Sequence, residues 1–134
     1  MSRRTKVSSG TVWEERVGYS RALRAGPHVW VAGTTAYDEQ GRLVGPGDAY
    51  AQTVFIFRKI EKALRQAGAS LEDVVRTRMF VTDIASQGDV GRAHAEVFRD
   101  IRPVATMVAI PALVEPAMLV EIEVDAYVEQ RDEG

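Results

Sequence analysis

The 134-residue chain contains no cysteine. Disulfides, thiolate nucleophiles and cysteine-based zinc sites are therefore excluded. It has two histidines, His28 and His94, far apart and without the HxH or HExxH spacing of a catalytic zinc site, so no metal and no cofactor is expected. Positive charge is not in excess: 17 Lys and Arg stand against 19 Asp and Glu, a net charge of −2. A general affinity for phosphate backbones needs many unopposed bases, so this balance disfavours nucleic acid as a partner. No apolar run approaches membrane-spanning length, and MSRRTKVSSG lacks the apolar core of a signal peptide, so the expected location is cytoplasmic. Internal repeats, low-complexity tracts and long linkers are also missing.

What is present fits one soluble domain over 1–134, with residues 1–10 expected to be flexible. Hydrophobic residues make up 46% and charged residues 27%, the proportions of an ordinary globular core and surface. The stretch "YSRALRAGPHVWVAGTTA" reads as two strands around a turn at Ala25-Gly26-Pro27. In the second, Val29 and Val31 alternate with Trp30 and Ala32. A long helix follows, with Asp48 as its N-cap and Gly68 as its stop. Ala51, Val54, Phe57, Ile60 and Leu64 suggest its apolar stripe, and Arg58, Lys59, Lys62 and Arg65 are assigned to a solvated face. Ser70 and Asp73 stand at capping-box spacing. A strand then places Val75, Thr77, Met79 and Val81 on one face and Arg76, Arg78 and Phe80 on the other. "SQGDVGRAHAEVF" gives a second helix with Val90, Ala93 and Val97 inward.

Two strands close the chain. In the last, Val120, Ile122, Val124, Ala126 and Val128 form an apolar face, and Glu121, Glu123 and Asp125 stand opposite with Leu119 and Tyr127. The order is that of an α+β fold, a mixed β-sheet with two helices packed on one face. The acidic face and the Arg76/Arg78 face are left uncovered. They are either solvated, with ion pairs each worth under about 1 kcal/mol, or packed against another subunit. The large side chains Phe80, Leu119 and Tyr127 favour assembly.

Tyr19-Ser20-x-Ala22, Gly33, "GASLEDVV" (68–75), "FVTD" (80–83), Pro103 and "LVEIE" (119–123) together resemble the RidA/YjgF family, whose members are also labelled endoribonuclease L-PSP. The resemblance spans Tyr19 to Val128. It implies a chorismate-mutase-like fold in which three sheets form a central barrel of a homotrimer, with ligand clefts between subunits. Archetypal members hydrolyse enamines and imines such as 2-aminoacrylate. An arginine two residues after a proline holds the substrate carboxylate, and a glutamate on the last strand orients water. Here Glu121 matches the glutamate and is the expected catalytic residue. Tyr19 and Gly33 match cleft positions. Ala32 and Thr34 replace the serine and glutamine that flank the glycine, and Pro103-Val104-Ala105-Thr106 puts Ala105 at the arginine's position. Tyr19, Gly33, Thr34, Ala105 and Met107 are thus the expected ligand-binding positions, with Arg92 as a relocated cation.

Each assignment has a plainer counterpart. Glu121 can equally be a structural acid paired with Arg76 or Arg78. Arg92 can be a surface residue paired with Glu96, and His94 a packed helix residue. The expected function is a trimer that binds a small carbonyl- or carboxylate-bearing metabolite, with imine hydrolysis divergent or absent because of Ala105. The alternatives are an active enamine/imine deaminase and, behind it, RNA cleavage or binding.

Overall fold

A computed structural model describes residues 4–129. Six strands and three helices follow in the order β1 (Arg4–Val7), α1 (Val12–Val17), β2 (Ala22–Ala25), β3 (His28–Thr34), α2 (Ala49–Gln66), β4 (Val74–Val81), α3 (Gln87–Phe98), β5 (Val104–Ala109) and β6 (Val120–Tyr127). They build one mixed sheet in the order β1-β2-β3-β6-β4-β5. Only β4 and β5 run parallel, and the connection between them carries α3. The long helix α2 packs on β3 and β6, with α3 beside it. The α+β class, the mixed sheet and the placing of the two long helices agree with the sequence pattern.

The alternation of β6 is realised in full. Val120, Ile122, Val124 and Ala126 are buried, and Glu121, Glu123 and Asp125 are half-buried on the other face. Against the apolar face lie Ile56, Phe57, Ile60 and Leu64 of α2 and Val90 and Phe98 of the α3 segment. Each such side chain contributes about 1.5–3 kcal/mol by leaving water, and this burial dominates stability. Asp48 caps α2 by accepting a hydrogen bond from the Ala51 N–H at 3.0 Å. Gly68 follows with φ +79°, the left-handed conformation that ends a helix. Ser70 and Asp73 close a capping box.

Three details depart from the sequence pattern. Residues 4–7 form an edge strand on β2 rather than a flexible end, and residues 1–3 lie outside the described region. Val75 is 49% exposed, with Val74 in the buried position: a register shift against β6 between Val74 and Arg76 moves the alternation by one residue. The buried stripe of α2 is rotated, taking in Gln52, Thr53, Ile56 and Ala63, with Ala51 and Val54 only half-buried. Polar residues hid that phase. Gln52 is inward because its amide donates to the Gly45 and Ala117 carbonyls and its Oε1 accepts from the Leu119 N–H. Thr53 donates to the Ala49 carbonyl.

Ile122 is fully buried at the centre of the sheet. Ile122→Ala is expected to lower unfolding stability by about 2–5 kcal/mol, read as a lower urea midpoint at unchanged slope.

Candidate functional site

The uncovered face of the sheet carries a cross-strand charge ladder. Arg78 stands opposite Glu123 in register and donates to it at 3.1 Å, with Asp125 3.6 Å away; Arg76 stands opposite Asp125 at 3.9 Å. Glu121 stands opposite Phe80. Two of the three β6 carboxylates therefore have arginine partners, and Glu121 has neither. The structural pairing of Glu121 with Arg76 or Arg78 does not form within the chain.

The path of β3 explains what surrounds Glu121 instead. Val31 pairs with Val124 and Thr34 with Ile122, so Ala32 and Gly33 together oppose the single residue Glu123. This β-bulge bends the strand and turns Gly33 towards Glu121. A Cβ on residue 33 would lie 2.9 Å from the Glu121 Cδ, so only glycine leaves the carboxyl group its place. Burial pushes the Glu121 carboxyl above the ordinary carboxylate range. The Arg21 guanidinium opposes that rise, and the Glu123 charge adds to it.

Arg21 holds the bulge from below. It is 7% exposed, and its Nη1 donates to the Gly33 carbonyl and to Thr34 Oγ1, both at 2.9 Å, while Nη2 reaches the Tyr19 hydroxyl at 3.3 Å. Its Nε has no hydrogen-bond partner and lies 3.9 Å from Glu14. Glu14, on α1, is buried, which alone would raise its pKa; hydrogen bonds from Ser9 and Thr11 prevail and hold it below the usual range. It faces Arg21 as a carboxylate.

These residues open into a recess of about 860 Å³. Tyr19, Gly33 and Glu121, three of the expected positions, line it. So do Arg21 and Lys59, which sequence reasoning did not select for the site. Lys59 was expected on a solvated helix face. In the structure it is half-buried, and its Nζ donates to the Thr35 carbonyl at 2.6 Å. Burial lowers its pKa to about 8, and Arg21 pushes the same way against Asp38 and Glu14. The signal for it was spacing: Ile56 and Ala63 of the true buried stripe stand three residues before and four after it. α1, also unanticipated, adds Val12, Trp13 and Val17 to the wall. Tyr37 donates to Glu115 at the rim.

The remaining expected residues lie elsewhere in the chain. Thr34 is fully buried, its hydroxyl donating to the Ala32 carbonyl and accepting from Arg21. Ala105 and Met107 are on β5 at the far edge of the sheet, beside Thr77 and Met79. The Arg92 side chain is 61% exposed, with its guanidinium 4.1 Å over the Tyr50 ring and 3.9 Å from Asp89. Glu96, its expected partner, accepts from the Tyr50 hydroxyl instead. His94 packs against Phe57 and Phe98, with Nε2 2.9 Å from Thr77 Oγ1. Burial depresses its pKa, which suits a neutral packed ring. Among the described residues no group of three or more His, Asp or Glu is placed to hold a metal, and no helix is long and apolar enough to cross a membrane.

The bulged sheet, the two helices on one face and the last-strand glutamate define a YjgF-type α+β domain. The chain belongs to the endoribonuclease L-PSP family, also called RidA/YjgF, whose family model matches residues 13–128. It is similar to the crystal structure of Rv2704 from Mycobacterium tuberculosis, a member of the YjgF/YER057c/UK114 family. That similarity has a TM-score of 0.86 and 55% identity, covering 94% of this chain and 100% of that one. An uncharacterized protein of Streptomyces coelicolor is 41% identical over 122 residues, 91% of this chain and 90% of that protein. The 3-aminoacrylate deaminase RutC of Acinetobacter baylyi is 36% identical over 110 residues, 82% and 86% of the two chains.

Two outcomes test this geometry. Gly33 has no positive φ, so Gly33→Ala strains no backbone and displaces only the flexible end of Glu121. Tm is expected to change by no more than about 4 °C, while the Glu121 carboxyl, read by carbon-detected NMR, titrates lower as it moves into water. For Lys59, the folded amine releases its proton near 8 and the unfolded one near 10.5. Between those values the unfolded chain holds more protons, so stability rises with pH across that window. The Tm of the wild type minus that of Lys59→Met should increase from pH 8 to 10.5.

Proposed function

We propose that the chain works as a homotrimer whose neighbouring copies close clefts over the Tyr19–Gly33–Glu121 recess, and that each cleft takes a small carbonyl- or carboxylate-bearing metabolite. The division of the expected site residues carries this reading. Tyr19, Gly33 and Glu121 share one recess, whereas Ala105 and Met107 sit on the opposite sheet edge and Arg92 on α3. One chain thus presents half a site, and the β5 side of a second copy completes it. The open sheet face supports assembly: Trp30 and Tyr127 are exposed there, and Val104 and Val108 are exposed on the β5 edge.

Hydrolysis at this site diverges from the family archetype or is absent. Ala105 offers a methyl group where archetypal members hold the substrate carboxylate with a bidentate arginine, so the chain is read as an arginine-lacking member. Losing one charged contact costs about 2–5 kcal/mol, at least about thirtyfold in rate.

A second reading, an active enamine/imine deaminase, is favoured by the isolation of Glu121 from the arginine ladder. A carboxylate beside the imine carbon accepts a proton from water as the oxygen adds to that carbon. It passes that proton to nitrogen, and as the C–N bond breaks it relays the proton of the new hydroxyl to the departing nitrogen, leaving a carbonyl and ammonia. The name of the RutC relative suggests a substrate of this class. RNA as substrate ranks last, because Arg76 and Arg78 of the open sheet face are matched by acids and the net charge is −2.

Light scattering is expected to give three times the 14.8 kDa chain mass; a stable monomer overturns the cleft. Coupling to a pyridoxal-phosphate lyase that releases 2-aminoacrylate separates the two readings. Pyruvate appearing at the rate in buffer supports ligand binding without archetypal hydrolysis. Acceleration that Glu121→Gln abolishes supports the deaminase.

A further inference from the structure

Within the recess, Lys59 is a cation without a counter-ion. Of the other charged groups on its walls, all but Glu121 are engaged or matched. Asp38 accepts from the Gln40 and Arg42 N–H groups, Glu39 pairs with Lys62 at 2.8 Å, Glu115 accepts from Tyr37, and Glu123 pairs with Arg78. Arg21 is spent on Gly33, Thr34 and Tyr19. Among the described residues no carboxylate comes within 4.0 Å of the Lys59 Nζ, which makes a single hydrogen bond, to the Thr35 carbonyl. An ammonium has three donors, so two point to no protein acceptor. A desolvated, singly engaged cation on the wall of a ligand-sized recess lacks the anion that would offset its burial.

We propose that Lys59 is the carboxylate anchor of this recess, and that the acid it selects is a monoanion carrying an apolar substituent. The inference rests on the reading that the recess takes a small metabolite, and it names the group that holds one. It replaces Ala105 on β5 by a cation on α2, in the same chain as Glu121.

Charge count favours a monoanion over a phosphate ester. A single spare cation neutralises one negative charge, and the carboxylates of Asp38, Glu39, Glu121 and Glu123 around the same space repel a second. The apolar part follows from the rest of the lining, which includes Trp13, Val17, Val114 and Met118. A volume of about 860 Å³ is also far more than a three-carbon acid fills. At pH 7 an amine that titrates near 8 is still mostly ammonium, as the anchor requires. The charged groups around it are Arg21 from the segment just before β2, Asp38 from the loop after β3 and Glu14 from α1.

Calorimetric titration of the full chain at pH 7 tests this with 4-methyl-2-oxopentanoate, its methyl ester and pyruvate. The expected order is the branched acid first, pyruvate weaker, and the ester weaker than its acid by at least about thirtyfold, the usual loss with one charged contact. Lys59→Met should lose the branched acid by a similar factor, and Lys59→Arg, which keeps the charge, should retain it within about tenfold. Circular dichroism and Tm of both variants identify any failure to fold, and Lys59→Arg then carries the comparison with the ester. Equal affinity for acid and ester, full affinity in Lys59→Met, or no binding of either acid overturns the proposal. A monomeric mass, or pyruvate formation at the rate in buffer, bears on the trimer and on hydrolysis but leaves this anchor standing, since Lys59 and its recess belong to one chain.

Discussion

The site depends on one local irregularity, the bulge that sets Ala32 and Gly33 against Glu123 alone. A regular β3–β6 ladder would keep every β6 acid at the same depth on the outer face. With two residues opposing one, the strand bends, a glycine arrives beside Glu121, and the carboxyl group settles where a side chain would otherwise be. A bulge leaves backbone groups unpaired, and these need partners. Arg21 supplies one by donating to the Gly33 carbonyl, and the same guanidinium binds Thr34 and Tyr19. The buried arginine is thus the fastener of an irregular strand, and its charge is what tempers the rise in the Glu121 pKa.

The three carboxylates of β6 share a face but not a fate. Glu123 and Asp125 meet arginines because β4 places Arg78 and Arg76 in register with them; Glu121 meets Phe80. The arginine–acid pairs are part-exposed, with side chains 29–44% accessible, and each is worth little in water. Stability rests on the other face, where apolar β6 residues lie under α2. The outer face is therefore free to be specialised, and Glu121 is the position where pairing was given up for depth.

The amphipathic strand and the caps were legible from sequence because their signals are local: alternation on β6, Asp48 before a helix, Gly68 after it. The phase of α2 was not, since Gln52 and Thr53 are inward only by virtue of backbone acceptors that tertiary structure provides. Nor was α1 legible. Six residues cannot hold a helix unaided, and this one is fastened by Glu14, whose partners Ser9, Thr11 and Arg21 lie outside it. Tyr19, Gly33 and Glu121 were selected as candidates through resemblance to a family pattern. Arg21 and Lys59, which line the recess, escaped because a basic side chain is drawn into a recess only when other elements take its water away, and those elements, α1 and the loop after β3, had no strong local signature.

In the proposed trimer, the position of the spare cation alters what a second subunit would do. With an anchor on β5, ligand orientation would depend on how accurately the far sheet edge of another copy docks. Lys59 and Glu121 instead stand on α2 and β6, which pack directly against each other in one core. The group that would grip an acid and the group that would face its carbonyl carbon then move as one rigid body, and their spacing is set by core packing. A neighbouring β5 bearing Ala105 would be left to supply a wall and exclude water. A short, uncharged residue suits that duty, because it covers the recess without bringing a second cation to compete with Lys59 for a single negative charge.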